Sequence, residues 1–298
     1  MLPNLPSQKA HQLIEEKRVK INASVRAHLA ESFFPCQKLG EAMAYSVEAG
    51  GKRIRALLCL ASFEMFGGKY EDIEPFLVAL EFIHTYSLIH DDLPAMDDSS
   101  MRRGKPSNHK RFGEAMAILA GDGLLTDAFS LMTRSSFPAE RILRATHCIG
   151  VAAGSGGMVG GQALDMTIGN APHSIDDVCQ MQNLKTSAII AACVVTGGIL
   201  SGREPKETAH LETFGEKIGQ AFQLADDLLD VKPSEESGKD SGIDQKNNKP
   251  TMIRHLGTEN TKARCRTLFE EAVHALSNID RPNQLLVAVA ETMIERNH

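Results

Sequence analysis

Apolar residues recur along most of this chain at the spacing of helical turns, and no stretch alternates apolar with polar as a half-buried strand would. Residues 73–89 read as a mostly apolar helix with Glu81, His84 and Ser87 as polar insertions. Pro94 disfavours helical backbone at Leu93 before it, which puts the end of that helix near Asp92. Residues 114–131, 178–200 and 211–231 are further long helices, the last stopped by Pro233, and 261–279 and 285–296 supply two more. Several are apolar on more than one face, the mark of helices buried inside a bundle. Two segments break the pattern. Residues 97–113 are polar and basic, and 232–250 form a polar run whose one large apolar residue is Ile243. A run of that length without core residues is a functional lid or a disordered loop. No linker-like stretch divides the rest, so the expectation is one all-α domain over residues 1–298.

Composition agrees with helices. The 298 residues are 42% hydrophobic and 23% charged, with 5% aromatics and no Trp, while Ala and Leu are plentiful. Against 38 acidic residues stand 32 basic ones, a net charge of −6 with no basic stripe, which argues against a nucleic-acid partner. Cys36, Cys59, Cys148, Cys179, Cys193 and Cys265 are irregularly spaced, with no C-x-x-C, and read as reduced, mostly buried thiols. Residues 1–20 lack the apolar core of a signal peptide. The apolar run 188–200 is short for a membrane span and carries Thr196, Gly197 and Gly198. These features predict a soluble cytoplasmic protein without stable membrane insertion.

The chemistry concentrates in an aspartate cluster written twice. The first copy is His90-Asp91-Asp92-Leu93-Pro94-Ala95-Met96-Asp97-Asp98, the second Gln223-Leu224-Ala225-Asp226-Asp227-Leu228-Leu229-Asp230. Both fall at the C-terminal end of an apolar helix, where the helix dipole disfavours anions. Asp226, Asp227 and Asp230 share one helix face with Gln223 one turn earlier. Asp91 and Asp97 would diverge on a continuous helix, but the break at Pro94 lets Asp97 turn back towards Asp91. Converging carboxylates without Cys or His suit a hard cation, Mg²⁺ above all, which commonly shares its shell with substrate phosphates.

Basic residues supply the complement. In Gly50-Gly51-Lys52-Arg53-Ile54-Arg55, Lys52 and Arg55 face one way if a helix begins there, and a helix N-terminus favours an anion. Arg102-Arg103-Gly104-Lys105 follows the first cluster, Lys185 and Thr186 open the run towards Ala188, and Lys239 and Lys249 lie in the polar run. Together they suit two diphosphates, one bound through Mg²⁺ and one directly by Arg and Lys.

With these residues the chain resembles the trans-prenyltransferases, the isoprenyl diphosphate synthases, most of all bacterial members that stop at a C15 chain. Asp91-Asp92-x-x-x-x-Asp97, followed by Arg102-Arg103-Gly104, is similar to that family's first aspartate-rich motif, and Gln223-x-x-Asp226-Asp227-x-x-Asp230 to its second. Gly51-Lys52-Arg53-x-Arg55, His84, Gly160-Gly161-Gln162 and Lys185-Thr186 match in order. Ala56, Leu184, Asn248 and Met252 depart from the usual Pro, His, Gly and Tyr without removing a charged group. The resemblance implies an antiparallel helix bundle around a central active-site cavity, and a homodimer. It implies three Mg²⁺ ions at Asp91, Asp92, Asp97, Asp226, Asp227 and Asp230, holding an allylic diphosphate with help from Arg102 and Lys185. Isopentenyl diphosphate would sit at Lys52, Arg55, His84 and Arg103, with Lys239 and Lys249 closing over the diphosphates from a lid at 232–250. Lys185, Thr186 and Gln223 would face the carbocation formed when the allylic C–O bond ionises, and the departing diphosphate would take the final proton.

Product length follows from the helix before Asp91. Tyr86 lies about 7.5 Å up that helix, and Ser87 stands almost directly behind Asp91. The resemblance implies that a bulky aromatic at Tyr86 floors the chain tunnel at C15; a C20 product is the alternative. A different enzyme class is also open. Glu81-x-x-His84, Glu207-x-x-His210 and Glu271-x-x-His274 each fit the ligand pair of di-iron helical bundles, a reading that leaves both aspartate clusters unexplained.

Overall fold

A computed structural model describes residues 8–168, 174–230 and 252–295. The chain enters through α1 (Gln8–Glu31), whose buried residues Ile14, Ile21, Val25 and Leu29 form a single stripe, and continues through α2 (Gln37–Val47). Next come α3 (Ile54–Met65) and α4 (Tyr70–Asp91). In α3 every residue from Ala56 to Phe63 is buried, and in α4 so is every residue from Phe76 to Ile83. Helices apolar on all sides must lie inside, and these two form the centre of the bundle with α10 (Ala188–Leu200). Gly197 makes that packing possible, because a Cβ there would stand 2.5 Å from the Cys59 carbonyl oxygen. The Ser62 hydroxyl donates to the Val194 carbonyl at 2.7 Å across the same contact.

The outer helices are α6 (Glu114–Met132), α7 (Ala139–Ala153) and α8 (Met158–Ile168), then α9 (Ile175–Gln182), α11 (Pro205–Asp230), α13 (Thr258–Leu276) and α14 (Gln284–Ile294). Short α5 (Asn108–Phe112) and α12 (Met252–Leu256) complete the set. The all-α bundle expected from the sequence is the architecture found.

Three details differ from the sequence reading. The basic segment 97–113 contains a two-residue antiparallel hairpin, β1 (Met101–Arg102) with β2 (Lys105–Pro106), before α5. Its turn residues Arg103 and Gly104 have φ of 54° and 73°, the left-handed pair of a tight hairpin turn. The helix expected over 178–200 is interrupted by a π turn at Asn183–Ser187. And the continuous helical stretch Ile175–Leu200, longer than the apolar run 188–200 within it, is long and apolar enough to cross a membrane, as is Glu114–Met132. Packing explains the first of these: 78% of its most apolar window is buried in the bundle.

Candidate active site

The C-terminal end of α4 carries the first aspartate cluster. Pro94 ends the helix as expected, and the backbone N–H of Asp97 donates to the carbonyl of Asp91 at 2.9 Å, so the chain does fold back on itself. The two adjacent aspartates then part company. Asp92 is 2% exposed and its carboxylate is gripped by the Arg102 guanidinium, through Nε at 3.0 and 3.1 Å and through Nη2. Asp91 has no such partner in hand. Burial pushes its pKa up to about 6, Lys185 pulls it down from across the site, and Asp97 pushes it up again.

The second cluster divides in the same way. Asp227 is buried; it accepts the Met252 backbone N–H at 2.8 Å and lies 3.4 Å from the Gln182 amide nitrogen. Asp226 and Gln223 are half-buried, and Asp230 ends α11. Asp92 and Asp227 were expected among the metal ligands, and in this structure each carboxylate also carries a partner from the protein itself.

The π turn connects the two clusters. Gln182 just before it reaches Asp227, and Lys185 within it lies near Asp91 and forms a 2.6 Å ion pair with Asp165. π turns are uncommon and recur at functional sites, because the extra residue widens the helix and turns side chains into a cavity. Gly161 of α8 lets this turn approach, since a Cβ there would collide with the backbone nitrogen of Lys185. That accounts physically for the second glycine of the Gly160-Gly161-Gln162 motif. Thr186 is buried beside Lys185. Asp165 was missed by the sequence reading, although it stands one helical turn after Gln162.

A second group of residues is cationic. Lys52 does not share a helix face with Arg55: α3 starts at Ile54, and Arg53 before it adopts φ 52°, so Lys52 projects from a loop. Gly50 and Gly51, at φ 89° and 137°, shape that loop, and a Cβ on Gly51 would lie 2.9 Å from the Arg103 guanidinium. Arg103 donates to the Gly50 carbonyl, which ties the hairpin to the loop. His84 from α4 meets this group. Burial, followed by the charges of Arg55, Arg103, Arg53 and Arg102, drives its pKa well below the usual imidazole range, so it is neutral at neutral pH.

Tyr86 is buried, with its ring edge-on to His90 at 5.7 Å between centroids. His90 in turn lies 3.1 Å from the Ile118 carbonyl of α6, and Gly121 leaves room for its imidazole. Tyr86 therefore sits on the side of α4 that faces α6, while the Ser87 hydroxyl donates to the His84 carbonyl at 2.9 Å. Lys239, Lys249 and the expected lid at 232–250 lie outside the described residues.

The di-iron pairs do not survive the packing. Glu81 is ion-paired with Arg53, Glu207 lies 3.6 Å from Arg203, and Glu271 is bonded to Lys217 at 2.7 Å. Among the described residues no three His, Cys, Asp or Glu side chains converge as a ready-made metal site. The aspartate carboxylates form two separate walls instead, a donor set that fits a hard cation arriving with phosphate oxygens of its own.

Comparison with known proteins agrees with this geometry. Residues 36–287 match the Polyprenyl synthetase family. The farnesyl diphosphate synthase of Micrococcus luteus is 42% identical over 275 residues, covering 92% of this chain and 94% of that protein. The geranylgeranyl diphosphate synthase of Cyanophora paradoxa is 40% identical over 262 residues, 87% of each chain. In three dimensions, the geranyltransferase from Helicobacter pylori complexed with magnesium and isoprenyl diphosphate superimposes with a TM-score of 0.83 at 31% identity, covering 96% of this chain and 97% of that one.

Proposed function

Since this chain belongs to the polyprenyl synthetase family, we propose that it condenses isopentenyl diphosphate with dimethylallyl and then geranyl diphosphate and stops at the C15 farnesyl chain. As a member it is a trans-prenyltransferase, joining prenyl diphosphates head to tail. One observation carries the reading: Asp91, raised by burial and pulled down by Lys185, ends the same helix on which, two turns earlier, Arg55, Arg103, Arg53 and Arg102 crowd a neutral His84.

Asp91, Asp97, Asp226 and Asp230 would hold Mg²⁺. The bound cation supplies Lewis-acid stabilisation of the diphosphate leaving group; the proposed count is three ions. Lys185 binds the same diphosphate, and the Lys185–Asp165 pair keeps its ammonium aimed into the site. Arg102 adds charge there while it orders Asp92. Gln223 and the hydroxyl of Thr186 turn oxygen atoms towards the allylic cation. Lys52, Arg55 and Arg103 hold the diphosphate of isopentenyl diphosphate, and uncharged His84 can donate a hydrogen bond without adding to the repulsion among them. The last proton passes to the departing diphosphate.

In this reading Tyr86, buried on the α6 side of α4, floors the path of the growing chain at C15, and Ser87 beside it turns its hydroxyl back to the His84 carbonyl. A homodimer would use the face where Ile118 and Leu119 of α6 and Leu143 and Val151 of α7 are exposed. Six unpaired cysteines suit a reducing, cytoplasmic setting. The deciding experiment measures diphosphate release with Mg²⁺ plus both substrates, against each substrate alone. Release that requires both is expected; release from geranyl diphosphate alone would indicate ionisation without condensation.

A further inference from the structure

Glu81 is 1% exposed, and neither aspartate cluster nor the cationic group as described above uses it. It sits on α4 one turn before His84, and its two oxygens serve α3. Oε2 accepts from Arg53 Nη1 at 3.1 Å, and Oε1 lies 3.4 Å from the backbone N–H of Ala56, one of the first-turn donors that α3 cannot satisfy internally. Arg53 also donates to Asn22 Oδ1 at 2.8 Å and to the Val47 carbonyl at 2.6 Å. These bonds hold a non-glycine residue in the left-handed region, a conformation that persists only where its surroundings impose it.

What hangs on that turn is the cationic group. Lys52 precedes Arg53, Arg55 is the second residue of α3, and Gly50 and Gly51 of the same loop hold the Arg103 guanidinium. The groups facing Glu81 are Arg53 of the loop, Arg103 of the hairpin and the N-terminus of α3. A buried carboxylate placed among them offsets their mutual repulsion and fixes where they point.

We propose that Glu81 and Arg53 are positioning residues for the second diphosphate: the buried pair sets the left-handed turn and with it the spacing of Lys52, Arg55 and Arg103. The proposal rests on the reading that these residues take isopentenyl diphosphate. A counter-charge alone would act in the opposite sense, because its removal strengthens the positive field and should tighten anion binding.

The test is steady-state kinetics of Glu81→Gln and Arg53→Lys against the parent, varying each substrate in turn, with thermal melts alongside. In Glu81→Gln the KM for isopentenyl diphosphate rises by about tenfold or more while the KM for geranyl diphosphate stays within about twofold. Arg53→Lys, which keeps the charge pair but loses the bonds to Asn22 or Val47, shows the same split at smaller size. An unchanged or lowered KM for isopentenyl diphosphate overturns the proposal, as does an equal rise for both substrates. Should Glu81→Gln fail to fold, Arg53→Lys decides by the same split; failure of both to fold makes the pair a requirement of the bundle and also overturns it. A parent enzyme without condensation activity would instead refute the underlying reading.

Discussion

Replacing Asp91 by Asn should make the metal-free protein more stable, and replacing its neighbour Asp92 should make it less so. The Asp91 carboxyl is raised from 3.8 to about 6 by burial and by Asp97, against the pull of Lys185. A raised carboxyl pKa means that the folded chain holds its proton more tightly than the unfolded chain. Ionisation therefore costs stability, with no cost below pH 3.8 and the full cost above about 6. At 1.36 kcal/mol per unit that cost is about 3 kcal/mol at pH 7.5, equivalent to roughly 5 °C in melting temperature for a chain of this size. Asp92→Asn acts in reverse, since it strips a buried carboxylate from Arg102 and should cost about 3 kcal/mol. Thermal melts in EDTA between pH 4.5 and 8 separate the two. Asp91→Asn should melt above the parent at pH 7.5, with the gap closing as pH falls, and Asp92→Asn below it at that pH. A melting temperature for Asp91→Asn at or below the parent's at every pH would refute the idea that this carboxylate is held in an unfavourable place for the sake of a cation.

Other consequences follow from the same geometry. Tyr86→Ala should extend the product to C20 and beyond, read by sizing the prenyl alcohols after dephosphorylation; a clean C15 stop would move the floor to another helix. Lys185→Gln should lower kcat by about 100-fold, as expected for loss of one charged stabiliser of the leaving group, and should also lower the melting temperature, since Asp165 loses its ion-pair partner and Asp91 a favourable charge. Far from the site, burial and the neighbouring Glu295 push Glu291 to about 7. Stability linked to that proton is present below its unfolded value near 4.5 and lost as pH rises through 7, so Glu291→Gln should raise the melting temperature at pH 8 and make little difference at pH 4.5.

Helices α4 and α10 were legible because their burial leaves a mark on composition, and Pro94 fixed the end of α4 to within a residue; α3, just as apolar, went unassigned beyond the possibility of a helix start near Lys52. Helix α1 escaped notice because a single stripe, Ile14, Ile21, Val25 and Leu29, is buried and the rest of its surface is charged. The hairpin at Arg102 is two residues per strand, too short to set up alternation. Nothing local distinguishes the π turn at Asn183–Ser187 from ordinary helix; what marks it is a neighbour distant in sequence, Gly161 of α8, which leaves room for its backbone. In the candidate site the aspartates were found at once, but Asp91 and Asp92, identical in sequence, differ only in what the fold places next to them. Arg53 shows the same limit. Its left-handed backbone is imposed by Glu81, Asn22 and Val47, partners between 6 and 31 positions away.

The most direct measurement is the length of the chain made by the purified protein with Mg²⁺, isopentenyl diphosphate and either dimethylallyl or geranyl diphosphate. The account predicts a C15 product from both starters, abolished to within orders of magnitude in Asp91→Asn and Asp226→Asn. A product that runs on to C20 with either starter would contradict the role given to Tyr86, and near-normal turnover in either aspartate variant would contradict the site itself.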